Sequence, residues 1–295
     1  MQSPAHPTYA ADNPEPSGTE ATSKRILLVN DMAGWGKVAL SAMIPILSHL
    51  RHQVFNLPTA LVSNTLDYGT FEILETTDYL KGAISAWDKL GFSFDAVCTG
   101  FLVSAEQTRL VRDFCRAQRE RGVDVFVDPI MGDEGMLYNG VGPDTVCHMR
   151  EMCSVAQVIM PNYTEAAFLA GTDPTLSSVS EAQARELTQR LHELGAASVV
   201  LTSCPFEGGH ATLVSEGEGA GLTVLPYDEV PVRFPGTGDI FSAVLVGDVL
   251  AGRALASATQ HAMDVVRDLL VLNEGREDKY RGIPIELYLD RITEK

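Results

Sequence analysis

Short apolar runs alternate with longer amphipathic segments along most of the chain. Ile26–Val29, Val54–Leu57, Ala96–Cys98, Val123–Val127, Val158–Met160 and Val199–Leu201 each read as a buried strand. A strand covered on both faces is apolar throughout rather than alternating. Ala105–Arg121 and Ser180–Leu194 carry apolar residues at helical spacing instead. This alternation predicts an α/β fold with a central, mostly parallel sheet and helices on both faces. The rhythm breaks between His210 and Val224, where two short strands around Ser215–Gly221 predict an antiparallel hairpin. We expect one domain over 24–295, preceded by a disordered tail over 1–23. The tail has Pro, Ala, Ser, Thr and Glu but no apolar core to order it.

In open α/β sheets, ligands bind outside the carboxyl ends of the strands. Here those ends carry Asn30-Asp31, Thr99-Gly100, Asp128-Pro129, Pro161-Asn162 and Thr202-Ser203. Each pair alone is ordinary turn chemistry. Their convergence on one sheet edge marks that edge as a candidate site.

Pro235-Gly236-Thr237-Gly238-Asp239 comes directly before Ile240, Phe241, Val244, Leu245 and Val249, which recur at helical spacing. The turn therefore belongs at a helix N-terminus, where unpaired N–H groups and the helix dipole attract anions. Glycine lets the backbone come close to such an anion. Asp239 would add a proton acceptor beside it, the pairing that phosphoryl transfer to an alcohol needs. Alternatively, Asp239 is a plain N-cap. Asp128 and Asp133 flank a glycine loop and suit Mg²⁺ beside phosphates, directly or through water. Asn162 and Glu165, three apart at a predicted helix start, have the spacing of a capping box, and such a Glu165 still reaches a metal-bound water. Gly34-Trp35-Gly36-Lys37 is not a P-loop, because Val38 stands where a hydroxyl would bind magnesium. It reads either as a loop approaching the substrate or as a simple turn.

A net charge of −17 excludes a nucleic-acid partner, which needs a basic face. It also means that helix N-termini and divalent metal must supply positive potential to any nucleotide phosphate. The five cysteines include no C-x-x-C pair and read as reduced thiols of a cytoplasmic protein. His49 and His52, placed on one helix face, are expected at the surface. No apolar stretch is long enough to span a membrane, and the first 23 residues lack the basic start and apolar core of a secretory signal.

The ordered set DPIMGDEG, PNYTEA, LTS and GTGD resembles the ribokinase-like superfamily, within its pyridoxal/pyridoxamine and hydroxymethylpyrimidine kinase branch. NDMAGWGKVAL, SAMIPILSHL, LPTALVSN and GFLVSAEQ are similar to bacterial pyridoxamine kinases. The resemblance runs from about Arg25 to Asn273. It implies a three-layer ribokinase-like sandwich and ATP-dependent phosphorylation of a vitamin B6 hydroxymethyl group. Asp239 would be the base, and Gly236, Thr237 and Gly238 the anion hole. Asp128 and Glu165 would stand at the metal, and Asp128, Asn162, Thr202, Ser203 and Tyr138 at the nucleotide. Asn30, Asp31, Ser63, Leu66 and Phe101 fall on the substrate side. The resemblance also implies Mg²⁺, a monovalent cation such as K⁺ or Na⁺, and a homodimer.

The chain departs from the branch where the vitamin would bind. Thr65-Leu66-Asp67-Tyr68 replaces a common His-Thr-Gly-Tyr, so Leu66 offers no hydrogen bond. Phe101 replaces a tyrosine, and Asp31 stands where many relatives have serine. Another hydroxymethyl heteroaromatic, such as hydroxymethylpyrimidine, is the alternative substrate. A non-catalytic B6-binding protein is the alternative of another class.

Overall fold

The computed structural model describes residues 23–138 and 141–293. The tail expected over 1–23 lies, Ser23 apart, outside the described residues. From the N-terminal side the elements are β1 (Arg25–Ala33), α1 (Ala39–His49), β2 (Gln53–Val62), β3 (Ile73–Glu75), α2 (Thr77–Lys89), β4 (Ala96–Thr99) and α3 (Ala105–Glu120). There follow β5 (Asp124–Val127), β6 (Gly132–Asp133), β7 (Met136–Leu137), α4 (Asp144–Cys153), β8 (Val158–Ile159) and α5 (Tyr163–Ala170). The chain continues through α6 (Glu181–Glu193), β9 (Ser198–Cys204), β10 (His210–Ser215) and β11 (Leu222–Tyr227). It closes with α7 (Thr237–Leu250), α8 (Leu255–Asn273) and α9 (Leu289–Thr293).

Nine of these strands form one sheet in the order β11-β10-β9-β8-β5-β4-β1-β2-β3. The six from β9 to β2 are parallel neighbours, while β3, β10 and β11 are antiparallel additions at the two edges. The predicted hairpin is β10–β11, with Ser215 paired to Leu222. Successive strand residues face opposite sides, so β1 divides its apolar run between two cores. Leu27 and Val29 pack with α2 to α6. Ile26 and Leu28 pack with α1, α7, α8 and α9. This is the ribokinase-like three-layer arrangement.

Strand register sets the site. Val29 pairs with Thr99, Thr99 with Val127, Val127 with Ile159, and Ile159 with Val199, which makes one row across the sheet. Asn30, Gly100 and Asp128 therefore stand side by side, the first still within β1 and the other two just past the ends of β4 and β5. β1 is the switch point, because α1 leads from it to one side of the sheet and β4 lies on the other.

His52 departs from the expected surface position. α1 ends at His49, so the two histidines share no helix, and His52 is buried. Its Nδ1 accepts the Lys24 N–H at 3.2 Å, which leaves the proton on Nε2, 3.3 Å from the Gly247 carbonyl. The ring thus ties the start of β1 to α7. Burial holds its pKa below the ordinary 6.5. The unfolded chain takes up the proton first as pH falls, so the ring's contribution is whole above 6.5 and lost below it. His52→Gln should lower stability by about 1 kcal/mol at pH 7.5. Urea midpoints of the two proteins should converge as pH is lowered from neutrality toward 5.

Candidate active site

Gly236 caps α7 with φ 85°, a left-handed conformation that favours glycine. A side chain there would also collide with the Lys37 carbonyl, since a Cβ would stand 2.1 Å from it. Asp239 is consequently inside the first turn of α7 and does not cap it. Its carboxylate accepts the backbone N–H of Ala39 and, at 3.3 Å, a side-chain N–H of Asn30.

Asn30 is fully committed to this arrangement. Its Oδ1 accepts the N–H groups of Asp31 at 3.0 Å and Phe101 at 2.8 Å, and its Nδ2 also lies 3.8 Å from the Met43 sulfur. Gly100 is required beside it, because a Cβ would stand 2.5 Å from the Asn30 amide. Asn30 thus orients Asp239 and joins the ends of β1 and β4. Asp31 follows it, half-buried, and feels the charge of Asp239.

On the other side, Asp128 accepts a hydrogen bond from Ser242 of α7 at 3.1 Å. Glu165 and Asn162 form the expected capping box at the start of α5. One Glu165 oxygen accepts the Met131 N–H at 3.0 Å and the other the Asn162 N–H at 2.9 Å. The Asn162 amide donates to the Gly132 carbonyl at 2.8 Å. Asn162, beyond the end of β8, also bridges to Thr202 within β9, which runs on to Cys204. Tyr138 leaves the β6–β7 hairpin half-exposed, within the field of Glu165, Asp133 and Asp128.

The carboxyl groups repel and desolvate one another. Burial first, then the Asp239 charge, pushes Asp31 and Asp128 up to about 7. Burial raises Asp239 to about 6, against the Ala39 and Asn30 hydrogen bonds that lower it. Burial and then Asp128 raise Glu165 well above its ordinary value. Among the described residues, no cationic side chain offsets any of these four. Among the described residues, no three His, Cys, Asp or Glu side chains are grouped to hold a metal. The Asp128–Glu165 pair nevertheless suits a divalent cation, whose charge would relieve this repulsion. Cys98 lies beneath the site, and burial with the charges of Asp128 and Asp239 keeps its thiol protonated.

Of the remaining predicted residues, Phe101 touches the cluster through its N–H to Asn30, while Ser63, Leu66 and Ser203 are engaged elsewhere or exposed. The Ser63 hydroxyl donates to Asn64 at 2.7 Å and accepts the Glu72 N–H at 2.9 Å, both within the β2–β3 turn. Leu66 is exposed on the short 3₁₀ turn that follows. Phe101 is half-buried, and its carbonyl accepts the Thr59 hydroxyl at 2.8 Å. Ser203 adopts φ 55° and bonds the Tyr227 phenol.

Three contributors escaped the sequence. Ala39 gives Asp239 a backbone N–H, and Ser242 was read only as part of an apolar helix. The third is the segment Asp278–Gly282, which clasps the glycine loop of residues 34–37. The Lys37 N–H donates to the Arg281 carbonyl at 2.8 Å, and the Thr65 hydroxyl to that of Tyr280 at 2.6 Å. The Arg281 guanidinium lies 5.1 Å above the Trp35 ring. Loop residues meeting across more than 200 positions leave no local signal.

The chain is similar to known kinases in both sequence and fold. The family model for phosphomethylpyrimidine kinase matches residues 51–280. A pyridoxal kinase of Arabidopsis thaliana is 28% identical over 236 residues, which cover 76% of this chain and 73% of that one. A protein of Bacteroides thetaiotaomicron named as a phosphomethylpyrimidine kinase and solved with pyridoxal superposes with TM-score 0.85 at 33% identity. That match covers 92% of this chain and 96% of the other. Pyridoxal kinase of Leishmania donovani, solved with ADP and pyridoxamine, superposes with TM-score 0.81 at 25% identity, with the same coverage. On its sequence, its fold and the order of its motifs, the chain belongs to the phosphomethylpyrimidine kinase family, kinases that transfer a phosphoryl group to an alcohol.

Proposed function

We propose that the protein is an ATP-dependent kinase that phosphorylates the 5'-hydroxymethyl group of a vitamin B6 vitamer: pyridoxal, pyridoxine or pyridoxamine. The observation that carries this reading is Asp239, a half-buried carboxylate in the first turn of α7 beside the Gly236 turn. The chain around it is similar to pyridoxal kinases.

Asp239 accepts the proton of the hydroxymethyl group as its oxygen attacks the γ-phosphorus of ATP, and ADP departs. The backbone N–H groups of Gly236, Thr237 and Gly238, at the positive end of α7, face the charge on the transferring group. Mg²⁺ at Asp128 and Glu165 would neutralise phosphate charge. Glu165 reaches it through water, because both its oxygens already accept backbone N–H groups. Asn162, Thr202, Ser203 and Tyr138 serve the nucleotide. Asp31, Ser63, Leu66 and Phe101 line the substrate side, with Asn30 behind them orienting the base. A monovalent cation, a homodimer and a cytoplasmic setting belong to the same reading. Five free cysteines, four of them buried, are in keeping with a reducing compartment.

A second reading, hydroxymethylpyrimidine as the acceptor, is favoured by the family's own description. A substrate panel with ATP, Mg²⁺ and K⁺ separates the two. Turnover of at least one B6 vitamer in preference to hydroxymethylpyrimidine is expected; the reverse preference would establish the second reading.

Asp239→Asn should lower kcat by about 10³-fold while leaving the melting temperature and ATP affinity near those of the parent. Near-parental turnover would remove Asp239 from the mechanism. Since the base works ionised, kcat/KM should fall with acidity below about pH 6 and level off above it. Asn30→Ala deletes a hydrogen bond that favours the ionised form, so the acid limb of its pH profile should move to higher pH.

A further inference from the structure

The proposed transfer site gathers phosphate and carboxylate charge, yet its four central carboxyl groups have no cationic partner among the described residues. The nearby cations of the glycine loop and its clasp are engaged elsewhere. Lys37 Nζ lies 3.4 Å from Glu286, and Arg281 lies over Trp35. Arg233 is different. It precedes Gly236 by three residues, and its charge reaches across to Asp133 and Tyr138 on the β6–β7 side.

Arg233 is held there by one weak contact. Its guanidinium meets a Glu134 oxygen at 3.3 Å, and the two side chains are 64% and 67% exposed. An exposed single-point pair of this kind contributes little and is readily exchanged. The backbone around it is firm: Phe234 is buried, and Gly236 is fixed against Lys37. Glu134 is held on the facing hairpin, where the neighbouring Gly135 N–H donates to Thr164 at 2.9 Å. The Arg233–Glu134 pair thus spans the gap between the anion turn and the loop that carries the phosphate-side carboxylates. A guanidinium prefers a multiply charged phosphate, which it can grip through two N–H groups, to one exposed carboxylate.

We propose that Arg233 exchanges Glu134 for the terminal phosphates of bound nucleotide and serves as a catalytic arginine in phosphoryl transfer. This rests on reading the α7 turn as the phosphate site. Arg233 makes and breaks no covalent bond. The acceptor oxygen forms the new P–O bond and gives its proton to Asp239. The bond to the leaving diphosphate breaks with its electron pair on ADP, and the guanidinium stabilises the charge between them.

Two measurements test the proposal, one of them independent of the acceptor. Arg233→Ala should weaken calorimetric binding of Mg²⁺ with AMP-PNP about tenfold and leave AMP binding unchanged. With whichever acceptor the parent phosphorylates, kcat should fall about 10²-fold. Arg233→Lys or added guanidinium should restore part of it. Glu134→Gln should keep or raise kcat, because it releases the guanidinium. Equal AMP-PNP affinity in Arg233→Ala and parent would overturn the proposal, and so would a loss in Glu134→Gln as large as in Arg233→Ala. Failure of the parent to phosphorylate any B6 vitamer would count against the substrate reading alone, since the AMP-PNP comparison needs no acceptor.

Discussion

Carboxyl groups brought together out of water repel, and this repulsion governs how the sheet edge is built. Asp31, Asp128, Asp239 and Glu165 all hold their protons to higher pH than free side chains do. Between the ordinary carboxylate range and about 7, the unfolded chain gives up these protons before the folded one. The cluster therefore costs stability as pH rises through that window. The fold accepts the cost and offsets it locally with dipoles rather than with positive side chains. Backbone N–H groups from Ala39, Met131 and Asn162, the Asn30 amide and the Ser242 hydroxyl each point at one of these carboxylates. Fixed dipoles orient the charges without cancelling them, and the uncancelled part would favour a bound cation.

Backbone must come close to backbone for such dipoles to reach their targets. The Lys37 carbonyl is enclosed between two glycines: a Cβ on Gly236 would stand 2.1 Å from it, and one on Gly282 2.9 Å. Gly236 begins the anion turn, and Gly282 ends the clasp that follows α8. The loop between β1 and α1 is therefore gripped from both sides, two residues before Ala39 delivers its N–H to Asp239. Placement of Asp239 thus depends on parts of the chain that lie far apart in sequence and contain no reactive group.

This explains what was legible in the sequence. The parallel strands were visible because burial on both faces leaves uninterrupted apolar runs, as in Ile26–Val29. The β10–β11 hairpin showed through its glycine-rich turn. Asp239, Asp128, Asn162 and Glu165 were legible because each follows a strand end or opens a helix, positions that local pattern marks. His52 was misplaced because burial of a neutral imidazole depends on two backbone partners, Lys24 and Gly247, the second of them 195 residues away from the ring. Backbone donors such as Ala39 leave no trace in residue identity, and Ser242 is hidden in a helix buried almost all round. The clasp over the glycine loop follows from tertiary packing alone.

The two halves of the site differ in how tightly they are held. Around the start of α5, Asn162 and Glu165 are bonded to backbone in at least two directions, and movement of one would disturb the ends of β5 and β8 together. Around the β2–β3 turn, Leu66 and Tyr68 lie exposed on a single 3₁₀ turn, and β3 is an edge strand with all three residues exposed. Substitutions there cost little packing and leave Asp239 untouched. Of the two departures from the family pattern, Leu66 lies on this looser segment, whereas Phe101 is half-buried, its N–H held by Asn30 and its carbonyl by Thr59, so only a change at Leu66 leaves the surroundings of Asp239 undisturbed.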